Sequence, residues 1–369
     1  MTQASDDTAT LLVIGTGLVG TSVALGARAQ GWRVWVHDAD PDVARHAAAK
    51  GAGEVGLPTS DPDLVVLAVP PAVIPAVAAE YLKRYLTSTF TDVGSVKSHI
   101  VDETVALGAD VSRLVPGHPM AGGEVPGPDA ARADLFADRV WVLTPDARAD
   151  TARVDQVAAF AAAQGAVVTR WDAAAHDRAV ALTSHAPQLL STLLAARLAD
   201  RDPADVQLSG QGLRDMTRIA GSDPGLWTQI LLANALPVLD VLEAIRADLD
   251  TVVTALRNVA AGSASATREA EQVLRDAMTR GNSGHARIPG KHGLSPAEAF
   301  STVLVSVTDR PGELARLFAL AGGAQVNLED VRIDHVLGRP TGLVELTVTR
   351  DRETVLAEAL AADGWTVRW

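Results

Sequence analysis

Residues 11–20 read LLVIGTGLVG, an apolar run ending in Gly15-Thr16-Gly17-Leu18-Val19-Gly20. The next apolar run, WRVWVHD, closes on Asp38. Together they predict a strand, a tight glycine turn, a helix, and a second strand ending in a carboxylate. Gly15 permits the turn, Gly17 lets the backbone approach a pyrophosphate, and Gly20 lets helix and strand pack closely. The helix N-terminus, with Leu18 and Val19 in its first turn, offers free N–H groups and partial positive charge to phosphates. A GxGxxG motif alone is weak; this one lies between a strand and a helix, with an acid at the expected distance. Asp38 can accept hydrogen bonds from ribose hydroxyls and would repel a 2′-phosphate. Ala39, not Arg, follows it, so NAD is favoured over NADP. The plainer alternatives are a structural glycine turn and a solvated Asp at a strand end.

The chain of 369 residues is long enough for two or three domains, and its 47% hydrophobic content allows large cores. A net charge of −13 argues against a nucleic-acid surface and against attraction to anionic membranes. An anionic substrate must therefore be held by a local group of Arg or His. The absence of cysteine excludes disulfides, thiolate metal sites and a Cys nucleophile, and no metal site is expected. The opening MTQASDDTAT is polar and acidic, unlike a signal peptide. No segment reads as a membrane span, so a soluble cytoplasmic protein is expected.

Strand-like runs at 11–15, 33–38, 64–69, 90–94, 113–119, 139–145 and 166–171 alternate with Ala-rich helical stretches. This predicts an α/β, Rossmann-type doubly wound sheet over residues 8–171, mostly parallel and covered on both faces. Residues 172–280 carry long Ala/Leu segments of helical spacing, with Pro187 and Pro237 expected to kink or restart helices. So apolar a region cannot bury its faces alone; an all-α domain shared with a second subunit in a homodimer is expected. The stretch GNSGHARIPGKHGLSP (281–296) reads as part of a linker spanning 281–299. Residues 300–369 follow the order β-α-β-β-α-β, a ferredoxin-like sandwich.

Several segments bring polar groups to strand ends or helix starts. VVLAVPP (65–71) sets Val69 and Pro70 where a strand end often lies against the nicotinamide half of a dinucleotide, although Pro-Pro there is also an ordinary turn. TDVGSVKSHI (91–100) puts Ser95 and Lys97 in a turn, and Ser95 reads equally well as a helix N-cap. VPGHPMAGGE (115–124) places His118 in a glycine-rich loop at the C-terminal edge of a parallel sheet, where ligands bind in such folds. SHAPQ (184–188) opens a helix with Ser184 and His185, and LRDMTRIAGSDPGLWTQ (213–229) groups Asp215, Arg218, Asp223 and Trp227. Asp215 can pair with Arg218 at i,i+3. The sharper alternative is a ligand carboxylate, which Arg binds through two parallel hydrogen bonds.

The ordered set GTGLVG, DVGSVK, GHPMAGGE, SHAPQ and TRIAGSDPGLW resembles the prephenate/arogenate dehydrogenase family of tyrosine biosynthesis, over nearly the whole chain. The tail, with VTDRPGEL and VNLEDVRI, is similar to ACT domains, which bind amino acids. The resemblance implies that His118 is catalytic and engages the ring hydroxyl, with Ser95 hydrogen-bonded to both. It implies that Arg218 binds the ring carboxylate, with Asp215 and Trp227 beside it. Glu124 would be a loop acid near the substrate side chain, and His185 the first His of an SHLPH-type motif. The chain departs from that motif at Gln188, where many prephenate-using members have a second His. Asp309, Pro311, Gly312 and Asn327 fall where ACT domains hold an amino-acid effector, tyrosine being the expected one.

The implied reaction passes a hydride from the hydroxyl-bearing ring carbon to NAD, while His118 takes the hydroxyl proton. The ring carboxylate leaves as CO₂, driven by aromatisation. Prephenate is the expected substrate; arogenate, or dual use of both, is the alternative, because Glu124 could pair with an ammonium. A 3-hydroxyacid dehydrogenase would need a catalytic Lys on the helical domain, and the chain has none between Lys97 and Lys291. A non-catalytic NAD or amino-acid sensor is disfavoured by the presence of Ser95, His118 and Arg218 together.

Overall fold

The computed structural model describes residues 8–123, 125, 127–262, 264–288, 300–335 and 341–368. The chain divides into two compact units, Met1–Ile245 and Arg246–Trp369.

The first unit is built on strands β1 (Thr10–Ile14), β2 (Arg33–His37), β3 (Glu54–Val55), β4 (Leu64–Leu67), β5 (Thr89–Asp92) and β6 (Leu114–Val115). They form a parallel sheet in the order β3-β2-β1-β4-β5-β6. The central strands β1, from Leu11, and β4 are continuously apolar because both faces are covered. Leu11 and Val13 pack on one face with Val23, Ala24 and Ala27 of α1 (Leu18–Ala29) and with Phe160. Leu12 and Ile14 pack on the other, with Ile74, Ala78 and Leu82 of α3 (Ile74–Arg84) and Ile100 of α4 (Ser98–Ala106). Helix α2 (Pro41–Ala49) follows β2 and is capped by the Asp40 side chain on the Asp42 N–H. The chain reverses its progress across the sheet between β1 and β4, which opens the crevice where such folds bind ligands.

The single strand expected over 113–119 breaks at Pro116. Proline has no N–H to continue a ladder, and the chain leaves β6 to form β7 (Gly117–Pro119) in a second sheet. There β7 pairs antiparallel with β8 (Val140–Leu143), and β8 pairs parallel with β9 (Val167–Arg170). Helix α5 (Thr151–Ala163) connects these last two strands.

Beyond residue 172 the unit is helical, as expected. Helices α6 (Ala173–Val180) and α7 (Ala186–Ala196) are joined by a π-helical turn, Ala181–His185, so SHAPQ lies across this turn rather than at a fresh helix start. Pro187 is the second residue of α7, directly after the π-helical turn; lacking an N–H, it cannot continue the ordinary hydrogen-bond ladder there. Helices α8 (Pro203–Val206), α9 (Gln211–Thr217), α10 (Pro224–Ala233) and α11 (Ala235–Ala260) follow. Leu208, Leu232 and Leu236 are 88%, 72% and 75% exposed on this segment, more apolar surface than an isolated unit normally leaves in water.

In the second unit, α12 spans Ala264–His285 and so runs into the stretch read as a linker. Gly281 and Gly284 lie on it with open space around them, where a helix tolerates glycine at the usual entropic cost; residues 289–299 of that stretch lie outside the described residues. Four strands, β10 (Phe300–Thr308), β11 (Asp330–His335), β12 (Thr341–Thr349) and β13 (Thr366–Arg368), form an antiparallel sheet in the order β11-β12-β10-β13. Helices α13 (Glu313–Gly323) and α14 (Glu353–Ala362) complete the β-α-β-β-α-β order. Val303, Val305, Val344 and Leu346 alternate onto the sheet face that buries Leu317 and Leu356. No helix among the described residues is long and apolar enough to cross a membrane.

Candidate active site

The glycine loop after β1 has the shape its sequence demands. Gly15 has φ +94°, and its N–H donates to the His37 carbonyl at 2.8 Å. A Cβ on Gly15 would meet the Ala68 carbonyl at 2.3 Å, and one on Gly20 would meet the Gly15 carbonyl at 2.0 Å. A Cβ on Gly17 would meet nothing within 4 Å, and α1 begins there without a capping side chain. The loop therefore has an open approach at Gly17 and uncapped N–H groups beside it, which fits a dinucleotide phosphate. Asp38 lies half-buried at the end of β2. Its Oδ2 accepts from the Thr16 backbone N–H at 2.6 Å and the Thr16 hydroxyl at 2.9 Å, and its Oδ1 accepts from the Asp40 N–H at 3.0 Å. Three of about four acceptor positions are engaged, leaving one on Oδ1. Val69 is half-buried and Pro70 exposed, just past the end of β4.

The loop after β5 carries Ser95. Its hydroxyl is buried with no hydrogen-bond partner among the described residues, the condition of a group that awaits a ligand or water. Lys97 fixes this loop. Its side chain is fully buried; Nζ pairs with Asp92 Oδ1 and donates to the Gly117 carbonyl at 2.7 Å. Burial pushes the Asp92 carboxyl up and the Lys97 ammonium down, while each partner opposes the shift in the other. The pair joins the Ser95 loop to the strand residue immediately before His118.

His118, on β7, is half-buried, and its Nδ1 lies 2.9 Å from Nε2 of His176 on α6. His176 Nδ1 lies 2.8 Å from Asp177 Oδ1. Both His176 and Asp177 are only 2% exposed. Asp177 also accepts from the Lys97 N–H at 2.9 Å and the Ser98 N–H at 2.8 Å. Burial raises the Asp177 carboxyl, but the hydrogen bonds from His176, Ser98 and Lys97 outweigh it and hold the group below its usual value. Burial, then the Lys97 ammonium, then His176 and His185 drive His118 well below the ordinary imidazole value, with Asp177 opposing. His118 is thus a neutral imidazole near neutral pH, the state a general base requires.

His185 closes the other side. It is 1% exposed and makes an edge contact with Trp227 at 6.1 Å between ring centres. Asn234, between α10 and α11, donates from Nδ2 to the Asp177 backbone carbonyl at 2.8 Å and lies 3.0 Å from His185 Nδ1. Burial lowers His185 to about 4, opposed by Asp177. Gln188 is buried, and its Nε2 donates to the Ile219 carbonyl at 2.8 Å, inside the turn Arg218–Gly221. Arg218 itself is exposed, and so is Asp215, which accepts from Gln211 at 2.9 Å. Glu124 lies outside the described residues.

His118, His185, Trp227 and the Ser95 loop are thus linked through residues not singled out from the sequence: Asp92, His176, Asp177 and Asn234. Gln188 is tied to the turn that bears Arg218. The adjacent His-Asp in an Ala-rich helix and the lone Asn in LLANALPVL were the available signals, since a buried polar side chain needs a partner.

The chain matches the family described as "Prephenate dehydrogenase, nucleotide-binding domain" over residues 23–170 and "Prephenate dehydrogenase, dimerization domain" over residues 172–267. It is 40% identical over 351 residues to a protein of Streptomyces niveus named probable prephenate dehydrogenase NovF, covering 95% of this chain and 97% of that one. It is 33% identical over 261 residues to a cyclohexadienyl dehydrogenase of Zymomonas mobilis, covering 67% of this chain and 88% of that one. The crystal structure of prephenate dehydrogenase from A. aeolicus, in complex with hydroxyphenyl propionate and NAD+, superposes with a TM-score of 0.63 at 27% identity, covering 75% of this chain and 98% of that one.

Proposed function

Since the chain belongs to the prephenate dehydrogenase family, we propose that it oxidatively decarboxylates prephenate to 4-hydroxyphenylpyruvate, with NAD rather than NADP. The observation that carries this reading is the His118–His176–Asp177 chain: a neutral, partly buried histidine on β7, the strand that follows β6, held by two buried groups. NAD, when bound, supplies the hydride acceptor. The Gly15–Gly20 loop binds its pyrophosphate and Asp38 its ribose, while Val69 and Pro70 border the nicotinamide half.

Ser95 and His118 contact the ring hydroxyl. Nε2 of His118, the nitrogen not engaged by His176, takes the hydroxyl proton as the carbon beneath it loses hydride. Arg218 orients the ring carboxylate, which departs as CO₂ once the ring can aromatise. Trp227 and His185 border the substrate, with Asp215 and Glu124 at the periphery. A site that disfavours the imidazolium keeps His118 unprotonated near neutral pH, and so free to accept the proton.

A second reading is supported by Gln188. Its amide donor is engaged by the Ile219 carbonyl, which leaves that N–H with less to offer a side-chain keto acid. Arogenate, or both substrates, then comes into range, as the name of the Zymomonas relative suggests for that protein. The deciding experiment is a spectrophotometric comparison of prephenate and arogenate, each with NAD and NADP. A kcat/KM for arogenate more than about tenfold above that for prephenate, about 1.4 kcal/mol of transition-state binding, would overturn the preference.

We assign residues 8–171 to cofactor binding and 172–280 to a helical domain that carries the substrate site and pairs two copies of the chain. The exposed Leu208, Leu232 and Leu236 support such pairing. We assign 281–299 to a linker and 300–369 to an ACT-type domain that binds tyrosine as a feedback effector. The support is the β-α-β-β-α-β order and the loop of Asp309, Pro311 and Gly312, where Gly312 has φ +94°. Asn327 is exposed nearby in sequence, with its Nδ2 bonded to Glu329 at 2.7 Å. Calorimetry with tyrosine, phenylalanine and tryptophan on the full chain tests this; no heat and no inhibition with any of them leaves a structural domain.

A further inference from the structure

We propose that Asp177 and Asn234 are positioning residues that set the tautomers of both site histidines, each through its own hydrogen-bond branch. The proposal rests on the reading of His118 as the base.

In the first branch, a carboxylate can only accept, so His176 must donate from Nδ1 to Asp177 Oδ1. The Nε2 of neutral His176 then carries no hydrogen and must accept. Its contact at 2.9 Å is His118 Nδ1, so that nitrogen bears the proton of neutral His118. His118 Nε2 is left bare, the only form that can take a hydroxyl proton. When it does, the His118 cation still donates from Nδ1 to His176, which is backed by the Asp177 carboxylate.

The second branch starts from the same residue's backbone. Asn234 Nδ2 donates to the Asp177 carbonyl, an acceptor only, which fixes the orientation of the amide. The second hydrogen of that NH₂ group points to His185 Nδ1 at 3.0 Å. His185 Nδ1 therefore accepts, and Nε2 keeps its proton as a neutral donor. One histidine presents a bare nitrogen and the other an N–H, an acid–base asymmetry that no residue within either ring's own strand or helix creates. Asp177 is held for this task by the Lys97 and Ser98 N–H groups, so the dyad is locked to the loop that carries Ser95. The charged and titratable groups facing His118 are Lys97, His176, His185 and Asp177.

The test begins with the unaltered enzyme. Long-range ¹H–¹⁵N spectra of the histidine-labelled protein at pH 7.5 should show His118 protonated at Nδ1 and His185 at Nε2. Asp177→Asn leaves His176 Nδ1 facing either an uncharged carbonyl, shared with the Lys97 N–H, or an NH₂ that reverses the branch; in both cases the carboxylate that holds the proton on His118 Nδ1 is gone. A kcat loss of about 10²–10⁴-fold is expected, as for the equivalent change in a catalytic triad, with KM within about threefold. Asn234→Leu breaks only the second branch; KM should rise about tenfold, the scale of one lost hydrogen bond, with kcat within about threefold. His176→Leu, which offers His118 Nδ1 no acceptor, serves as the kinetic probe if Asp177→Asn does not fold. The proposal is overturned if the wild-type spectra show His118 protonated at Nε2 or His185 at Nδ1. It is also overturned if Asp177→Asn, or His176→Leu in its place, keeps wild-type kcat. Absence of turnover in the wild-type enzyme with intact tautomers would instead count against the functional reading alone.

Discussion

Lys97→Met should be the most damaging single change outside the substrate-contacting groups. The ammonium is fully buried against Asp92, itself 0% exposed. Removing one member of such a pair strands the other and costs about 3–5 kcal/mol. Here the loss includes the bond to the Gly117 carbonyl, and Asp92 Oδ2 has no hydrogen-bond partner among the described residues. For a unit of this size, 1 kcal/mol moves the melting temperature by about 2–4 °C, so a fall of about 10 °C is expected by scanning calorimetry. Activity should fall too, because the lost contacts are those that hold the Ser95 loop against the strand bearing His118. Adding Asp92→Asn removes the stranded charge and should recover a good part of the stability, giving a strong coupling in a double-mutant cycle. If Lys97→Met melts within about 1 °C of wild type, or if the two changes are additive, the pair does not organise the site.

Gly17→Ala should leave stability nearly unchanged but weaken NAD binding, because its Cβ would enter open space at the cofactor approach. Gly20→Ala should lower both, since its Cβ would sit 2.0 Å from the Gly15 carbonyl; melting curves with and without NAD separate the two. His185, lowered from 6.5 to about 4 by burial, stays neutral when folded but protonates below pH 6.5 when unfolded. Its contribution is complete above pH 6.5 and is lost as pH falls toward 4, up to about 3 kcal/mol. The pH slope of wild-type stability in urea should therefore flatten in His185→Gln. His118→Asn should bind substrate and lose about 10²–10⁴-fold in kcat, and the acid limb of the wild-type kcat/KM profile should lie below pH 6.5 because His118 is held well below its usual value. Asp38→Ser with Ala39→Arg should shift preference toward NADP; a wild-type enzyme already preferring NADP would refute the role given to Asp38.

The cofactor loop was legible in the sequence because its constraints are local. Gly15 needs a positive φ and Gly20 a close helix–strand approach, and both needs are met by residue type within one strand-turn-helix. His118 stood out as a candidate for a similar reason, as a polar residue among glycines just past a strand, although the structure places it within the short strand β7 and not in a loop. The break at Pro116 was not legible, because the run RLVPGHP is apolar enough to continue, and only the missing N–H diverts it to another sheet. The groups behind His118 were hidden for a different reason. His176 is 58 positions from His118, and Asn234 is 57 from Asp177. On their own segments they resemble ordinary polar residues of helices, and only tertiary packing makes them buried and mutually satisfying. Lys97 was visible as part of a turn, but its burial against Asp92 depends on the sheet closing over it.

The most direct test of the account is the stoichiometry of one turnover. Prephenate and NAD with the wild-type enzyme should give NADH, CO₂ and 4-hydroxyphenylpyruvate in equal amounts, followed by absorbance, trapped carbonate and chromatography of the product. NADH without matching CO₂, or no NADH from either prephenate or arogenate, would contradict it.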